Sequence, residues 1–269
     1  MKSLFYSSLI VGTVFFSYQV IAQTEGTVMA SELAFAETAK REGIKNAFEK
    51  YMAPTGQILV GNKFVNALSY YRNVSNDTTD LLWWIPFYVF SNRIGDFGFA
   101  TGPFRYFRER NGSSVSAGLT FSIWEKDSAG VFKILFDGGV NLRDIPKEPI
   151  HYLKQQERKE YILASDGMVG QVVIPALAIS GGQYVHPEAI FLRPNSNAFF
   201  RHAETQRDPN MVMQLRGEGS DCTGTVYYRF GNLSRDEADR SNGKFCGYFV
   251  QVWFLSKGQW ALIADVLQY

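Results

Sequence analysis

Apolar and polar positions alternate most clearly near the middle of the chain. Leu119, Phe121 and Ile123 interleave with Thr120, Ser122 and Trp124, the period of two expected of a strand. A second strand covers 131–137, and a turn at Asp127-Ser128-Ala129 makes the two a hairpin that sets Trp124 opposite Phe132. At the end of the chain the pattern returns, with a shorter turn at Ser256-Lys257 setting Trp253 opposite Trp260. Cross-strand aromatic pairs stabilise a sheet by ~0.2–1 kcal/mol each, so these tryptophans read first as core. Residues 97–107 form a further strand, rich in Gly98, Gly102 and Pro103 as bent strands are. Before it, 81–90 is an apolar run whose Pro86 marks an edge strand or a bulge.

Upstream the period changes. Leu33, Ala36, Ile44, Ala47, Phe48 and Tyr51 recur at three and four, one apolar stripe on a helix that Ser31 would cap and that Pro54 and Gly56 would end. Glu37 and Arg41 belong to its solvated side.

The chain also reads as one passage written twice. Gly118 and Trp124 stand six apart, as do Gly247 and Trp253; Phe132 and Asp137 stand five apart, as do Trp260 and Asp265. Pro54 with Ile58-Leu59-Val60 has a counterpart in Pro187 with Ile190-Phe191-Leu192, and Gly95-Asp96-Phe97-Gly98 a looser one in Ser220 to Gly224. Such recurrence in one order predicts two tandem α+β units. The first spans 23–142 and the second 161–269, with a charged, Pro-containing linker over 143–160 that runs into the second unit's opening helix. The second unit departs from the first. It has Met211 to Leu215 where the first has Trp83-Trp84-Ile85-Pro86, and a polar insertion over 232–242.

Residues 1–22 have the form of a secretory signal: Lys2, an apolar stretch over 4–21, then Val20-Ile21-Ala22 as a cleavage site. The expectation is export, to the periplasm of a bacterium, with nothing in the membrane once the signal is removed. No cysteine near the cut supports lipidation. Loss of Lys2 from 27 basic and 26 acidic residues leaves the rest balanced, which argues against nucleic acid as a partner. Cys222 and Cys246 are expected to form a disulfide across the predicted hairpin, an exported address permitting oxidation. His151, His186 and His202 show no metal spacing, no nucleotide loop or nucleophile elbow is present, and no metal or other cofactor is expected.

Trp84-Ile85-Pro86, 91–98, Gly102-Pro103, Gly118 to Trp124 and Phe132 to Asp137 together resemble the nuclear transport factor 2-like superfamily, and more narrowly its ketosteroid-isomerase-type exported bacterial members. The resemblance implies two cone-shaped units, each a curved antiparallel sheet wrapped on N-terminal helices around an apolar pocket. It says little about chemistry, since the fold hosts isomerases, dehydratases, binding modules and assembly domains. Three readings follow. The first is an exported protein holding a small, mostly apolar molecule in the first cone, with Trp84, Asp96 and Tyr106 as ligand-binding residues. The second is an isomerase, dehydratase or hydrolase using Asp96 or another pocket carboxylate as general base, Asp137 being read as a strand-end residue held by backbone donors. The third is a non-catalytic interaction module. A single-chain monomer, its units packed as an internal pseudo-dimer, is expected in each case.

Overall fold

The structure, a computed structural model, describes residues 26–142, 158–163, 184–194 and 210–269; the expected signal, most of the expected linker and the second unit's expected opening helix lie outside these. Helix α1 (Val28–Glu42) begins three residues before the expected cap. Thr27 is its N-cap, its hydroxyl accepting from the Ala30 amide at 3.1 Å, and Ser31 is buried inside the first turn. Gly43, at φ 92°, stops it, and α2 (Ile44–Tyr51) starts at once. The expected single stripe is therefore two helices, because a left-handed residue cannot continue an α-helix. They meet edge to face through Phe35 and Phe48, ring centroids 5.0 Å apart.

The first sheet has eight strands: β1 (Met52–Val60), β2 (Lys63–Asn66), β3 (Leu81–Trp84), β4 (Tyr88–Asn92), β5 (Phe97–Phe107), β6 (Ser114–Lys126), β7 (Phe132–Asn141) and β8 (Lys159–Leu163). A short helix, α3 (Ala67–Arg72), joins β2 to β3, capped by the Asn66 side chain. The run 81–90 divides at Ile85-Pro86-Phe87, and both halves pair with β5, on either side of its Gly102-Pro103 bend. Residues 159–163, expected at the linker's end and the start of the second unit, instead form a parallel edge strand on β4.

The second sheet comprises β9 (Tyr184–Leu192), β10 (Val212–Ser220), β11 (Val226–Ser234), β12 (Gly247–Ser256) and β13 (Gln259–Gln268), with α4 (Glu237–Ser241) between β11 and β12. Its order, β10-β11-β12-β13-β9, and its strand senses match β4-β5-β6-β7-β1 of the first. The irregularities match too. Met52 pairs Ile134 and Gln57 pairs Phe136, so five residues of β1 pass two of β7; Val185 pairs Leu262 and Ile190 pairs Ala264, the same step. Pro54 and Pro187 sit inside these bulges, where a residue without an N–H is tolerated.

Both hairpins close one residue later than expected. Lys126 pairs Phe132 and Leu255 pairs Trp260, so Trp124 faces Ile134 and Trp253 faces Leu262. The cause lies in the turns, which use left-handed Gly130 (φ 77°) and, after Lys257 (φ 51°), Gly258 (φ 74°). The expected disulfide is absent: Cys222 and Cys246 are free thiols. Leu233 pairs Gly247 and Val226 pairs Phe254, so the two cysteines flank opposite ends of the β11–β12 ladder, roughly 25 Å apart at ~3.3 Å per residue. The insertion carrying α4 moved the hairpin's midpoint away from Ser234.

Two layers of core result. Between α1–α3 and the first sheet lie Phe35, Phe48, Trp84, Trp124 and Ile134. Between the two sheets lies a larger core that draws on Phe99, Phe121, Phe136 and Val140 from the first and on Phe230, Val250, Phe254 and Val266 from the second. Phe230 stacks on Phe64 and Phe136 across this interface, at 5.2 and 5.4 Å. Tyr248 hydrogen-bonds both the amide and the carbonyl of Gly139.

Candidate functional site

On β6 and β7, alternation sends Phe121, Ile123 and Phe136 to the inter-sheet core and leaves Ser122, Trp124 and Asp137 facing the helices. Helix α1 brings Glu32 onto this face. Its buried stripe runs through Glu32, Phe35 and Ala39, one residue off the stripe anticipated from Leu33 and Ala36.

The Glu32 carboxylate is sealed, with the residue 1 % exposed. Trp84 Nε1 donates to its Oε1 at 2.6 Å, and Trp124 Nε1 donates to its Oε2 at 2.7 Å. Burial pushes its pKa up, and the two indoles and the Ser122 hydroxyl pull it back. Ser122 is the cross-strand partner of Asp137 and donates to Asp137 Oδ2 at 2.8 Å. The two carboxyls thus share one hydroxyl, which holds a single proton. Asp137 is pushed up to about 8, first by burial and then by the nearby charge of Glu32.

Geometry divides the roles. Glu32 has both oxygens engaged by indole N–H donors, which favour its anion. Asp137 is only partly buried, and its Oδ1 accepts no hydrogen bond among the described residues. Asp137, pushed up to about 8, therefore holds a proton at neutral pH, and its Oδ1 is the oxygen that Ser122 leaves free. Tyr71, on α3 and stacked on Phe48 at 4.7 Å, stays neutral; burial and then the Asp137 charge push its hydroxyl up.

The three residues expected to bind a ligand do not converge. Trp84 is buried and serves Glu32. Tyr106 lies on the same face of β5 as the Trp84 partner Phe104, and its hydroxyl donates to Asp80 Oδ2 at 3.3 Å. Asp96 precedes β5, roughly 26 Å from Phe104 along the strand at ~3.3 Å per residue. It accepts from Asn92 Nδ2 at 2.6 Å and from Cys222 Sγ at 3.0 Å, and Asn92 also donates to Asp221 of the second unit. Its surroundings are a polar turn at the junction of the sheets, not an apolar pocket. Nor is Asp137 a strand-end residue on backbone donors: it is mid-strand, bonded to a side chain.

The second sheet repeats the pair with different chemistry. Gln251 faces Asp265 as Ser122 faces Asp137, and its Nε2 donates to Asp265 Oδ1 at 2.7 Å. Arg193 closes the other oxygen at 2.6 Å, a buried ion pair, and Trp253 Nε1 has no hydrogen-bond partner among the described residues. Asp265 is thus neutralised in place. Among the described residues no cluster of His, Cys, Asp and Glu is arranged to hold a metal.

No family model matches the chain, and no curated protein matches it. Solved structures similar in part include a provisional ketosteroid isomerase of Shewanella frigidimarina, 20% identical over 40% of this chain and 91% of that one, at a TM-score of 0.32. Another is a nuclear transport factor 2-like protein of unknown function from Shewanella oneidensis, 17% identical over 44% and 93%, also at 0.32. A third is a cystatin-like-fold domain of unknown function from Nostoc punctiforme, 10% identical over 51% and 86%, at 0.36.

Proposed function

We propose that the protein is an exported small-molecule-binding protein made of two tandem units, with its binding site at Asp137 on the helix-facing side of the first sheet. The observation that carries this reading is the free Oδ1 of a partly exposed Asp137, backed by a carboxylate whose own oxygens are both engaged. A carboxyl kept protonated near neutral pH donates a hydrogen bond, and apolar surroundings strengthen it. The ligand class that fits is a small, mostly apolar molecule with one acceptor oxygen. The test is a thermal-shift screen of neutral apolar metabolites against the whole chain and against Asp137→Asn. A hit should lose affinity as pH rises through about 8, and should bind Asp137→Asn less well at pH 6. Binding indifferent to both pH and the substitution would refute the site.

The same observation favours a second reading, an acid–base enzyme of isomerase or dehydratase type in which Asp137, not Asp96, moves the proton. A group titrating near the working pH is suited to both directions of transfer. Turnover of a screened ligand, abolished in Asp137→Asn, would select it over binding alone.

A further inference from the structure

The other face of β5, away from Tyr106, holds a charge without a counterpart among the described residues. Arg105 pairs across the sheet with Trp83 on one side and Ala117 on the other, and is 6 % exposed. Among the described residues it makes neither a hydrogen bond nor an ion pair, and its Nη2 is sealed from solvent. The comparison within the molecule is Arg193, equally buried, which is matched by Asp265. Around Arg105 the surface is apolar: Trp83, Ile85 and Phe107 are buried in one cluster, with Leu81 against it. Asp80, just before β3, turns its Oδ2 to Tyr106 on the opposite face, and no bond joins either of its oxygens to Arg105 among the described residues.

An uncompensated buried cation is strongly unfavourable, and a guanidinium in apolar surroundings is the fork that binds an oxyanion through two parallel hydrogen bonds. We propose that Arg105 is the anchor of a second ligand site, which takes a carboxylate carried on an apolar body. Charge decides the class. One monoanionic carboxylate neutralises one guanidinium, whereas a phosphate would bring surplus charge to a cluster whose other described members are apolar. The Leu81, Trp83, Ile85 and Phe107 side chains then cover the apolar part. Leu33 of α1 packs against the same cluster, but the site is separate from Asp137, which sits with Ser122 and Glu32 on the face of Trp84 and Trp124.

The test uses the full chain with octanoate, octan-1-ol and inorganic phosphate as probes, read by melting temperature. Octanoate should raise it by a few degrees at millimolar concentration, and the alcohol and phosphate should not. Arg105→Met, which keeps the length and removes the charge, should melt higher than wild type without any probe and should not respond to octanoate. Arg105→Lys should respond more weakly than wild type. The proposal fails if Arg105→Met melts lower than wild type without probe, if it still responds to octanoate, or if octan-1-ol matches octanoate on the wild type.

Discussion

Glu32 and Asp137 are the same functional group in one small volume, and their surroundings push them apart. Burial pushes both carboxyls up; two indole N–H groups pull Glu32 back toward its anion, and the charge of Glu32 adds to the burial that holds the proton on Asp137. Asp137 titrates near 8 in the folded chain, against ~3.9 for an ordinary aspartate in an unfolded one. Between those values the folded protein carries the extra proton, so stability falls as pH rises. The contribution is full below ~4 and is lost as pH climbs through about 8. Melting temperature should therefore decline from pH 5 to pH 9, and Asp137→Asn should flatten that decline and melt higher than wild type at pH 9. A wild-type curve that rises across this range would contradict the assignment. Glu32→Gln tests the other half. Its amide turns an N–H toward an indole N–H, leaving buried donors unmet, a loss of ~1–3 kcal/mol. It also removes the charge beside Asp137, so the Asp137 titration followed by carboxyl NMR should move down from about 8.

At the scale of strands and helices, the likeness of the two sheets is written in glycine as much as in tryptophan. A Cβ on Gly118 would strike the Val140 carbonyl, and one on Gly247 would strike the Gln268 carbonyl, in matching places of the two sheets. Gly118→Ala and Gly247→Ala should each destabilise by ~1–3 kcal/mol, a fall in melting temperature of ~2–4 °C per kcal/mol for a chain of this size. Equal responses from the two would support the equivalence of the units. Much of this level was legible in advance: the bounds of β5 and the Gly-to-Trp strands follow from alternation and turn residues alone. The register was not, because a left-handed Gly130 or Gly258 shifts a hairpin by one residue without changing the pattern along either strand. The disulfide failed for a related reason, since counting residues between cysteines ignores how α4 takes up chain. Titration with a thiol reagent in denaturant without reductant should find two free thiols. Under native conditions at pH 8 the exposed Cys222 should react slowly, its thiol pushed up to about 11 by the hydrogen bond it gives Asp96. Of the candidate site, Asp137 was visible as half of a repeated interval, but Glu32 was hidden. An acid lying in register with Phe35 and Ala39 is the signal that would have found it.

On the scale of the whole chain, the two sheets bury a common core, and neither face is finished without the other. Phe90, Phe97, Phe99, Phe121 and Phe136 would be left bare on a chain ending at residue 142. Such a fragment should dimerise or aggregate, whereas the whole chain should scatter light as a monomer. A soluble monomeric fragment would show that the inter-sheet core is dispensable. A cost in time follows from the same arrangement. Strand β1 pairs with β7, and β9 with β13, across all the strands that lie between them in the chain. Such distant pairings make β-rich chains slow, with folding times of milliseconds to seconds. During that interval the first sheet presents a row of phenylalanines with no cover, and the residues that will cover it are still to be placed. A chain crossing a membrane unfolded would meet this hazard on the far side, where a holdase binding aromatic strands would raise the folded yield most at high concentration.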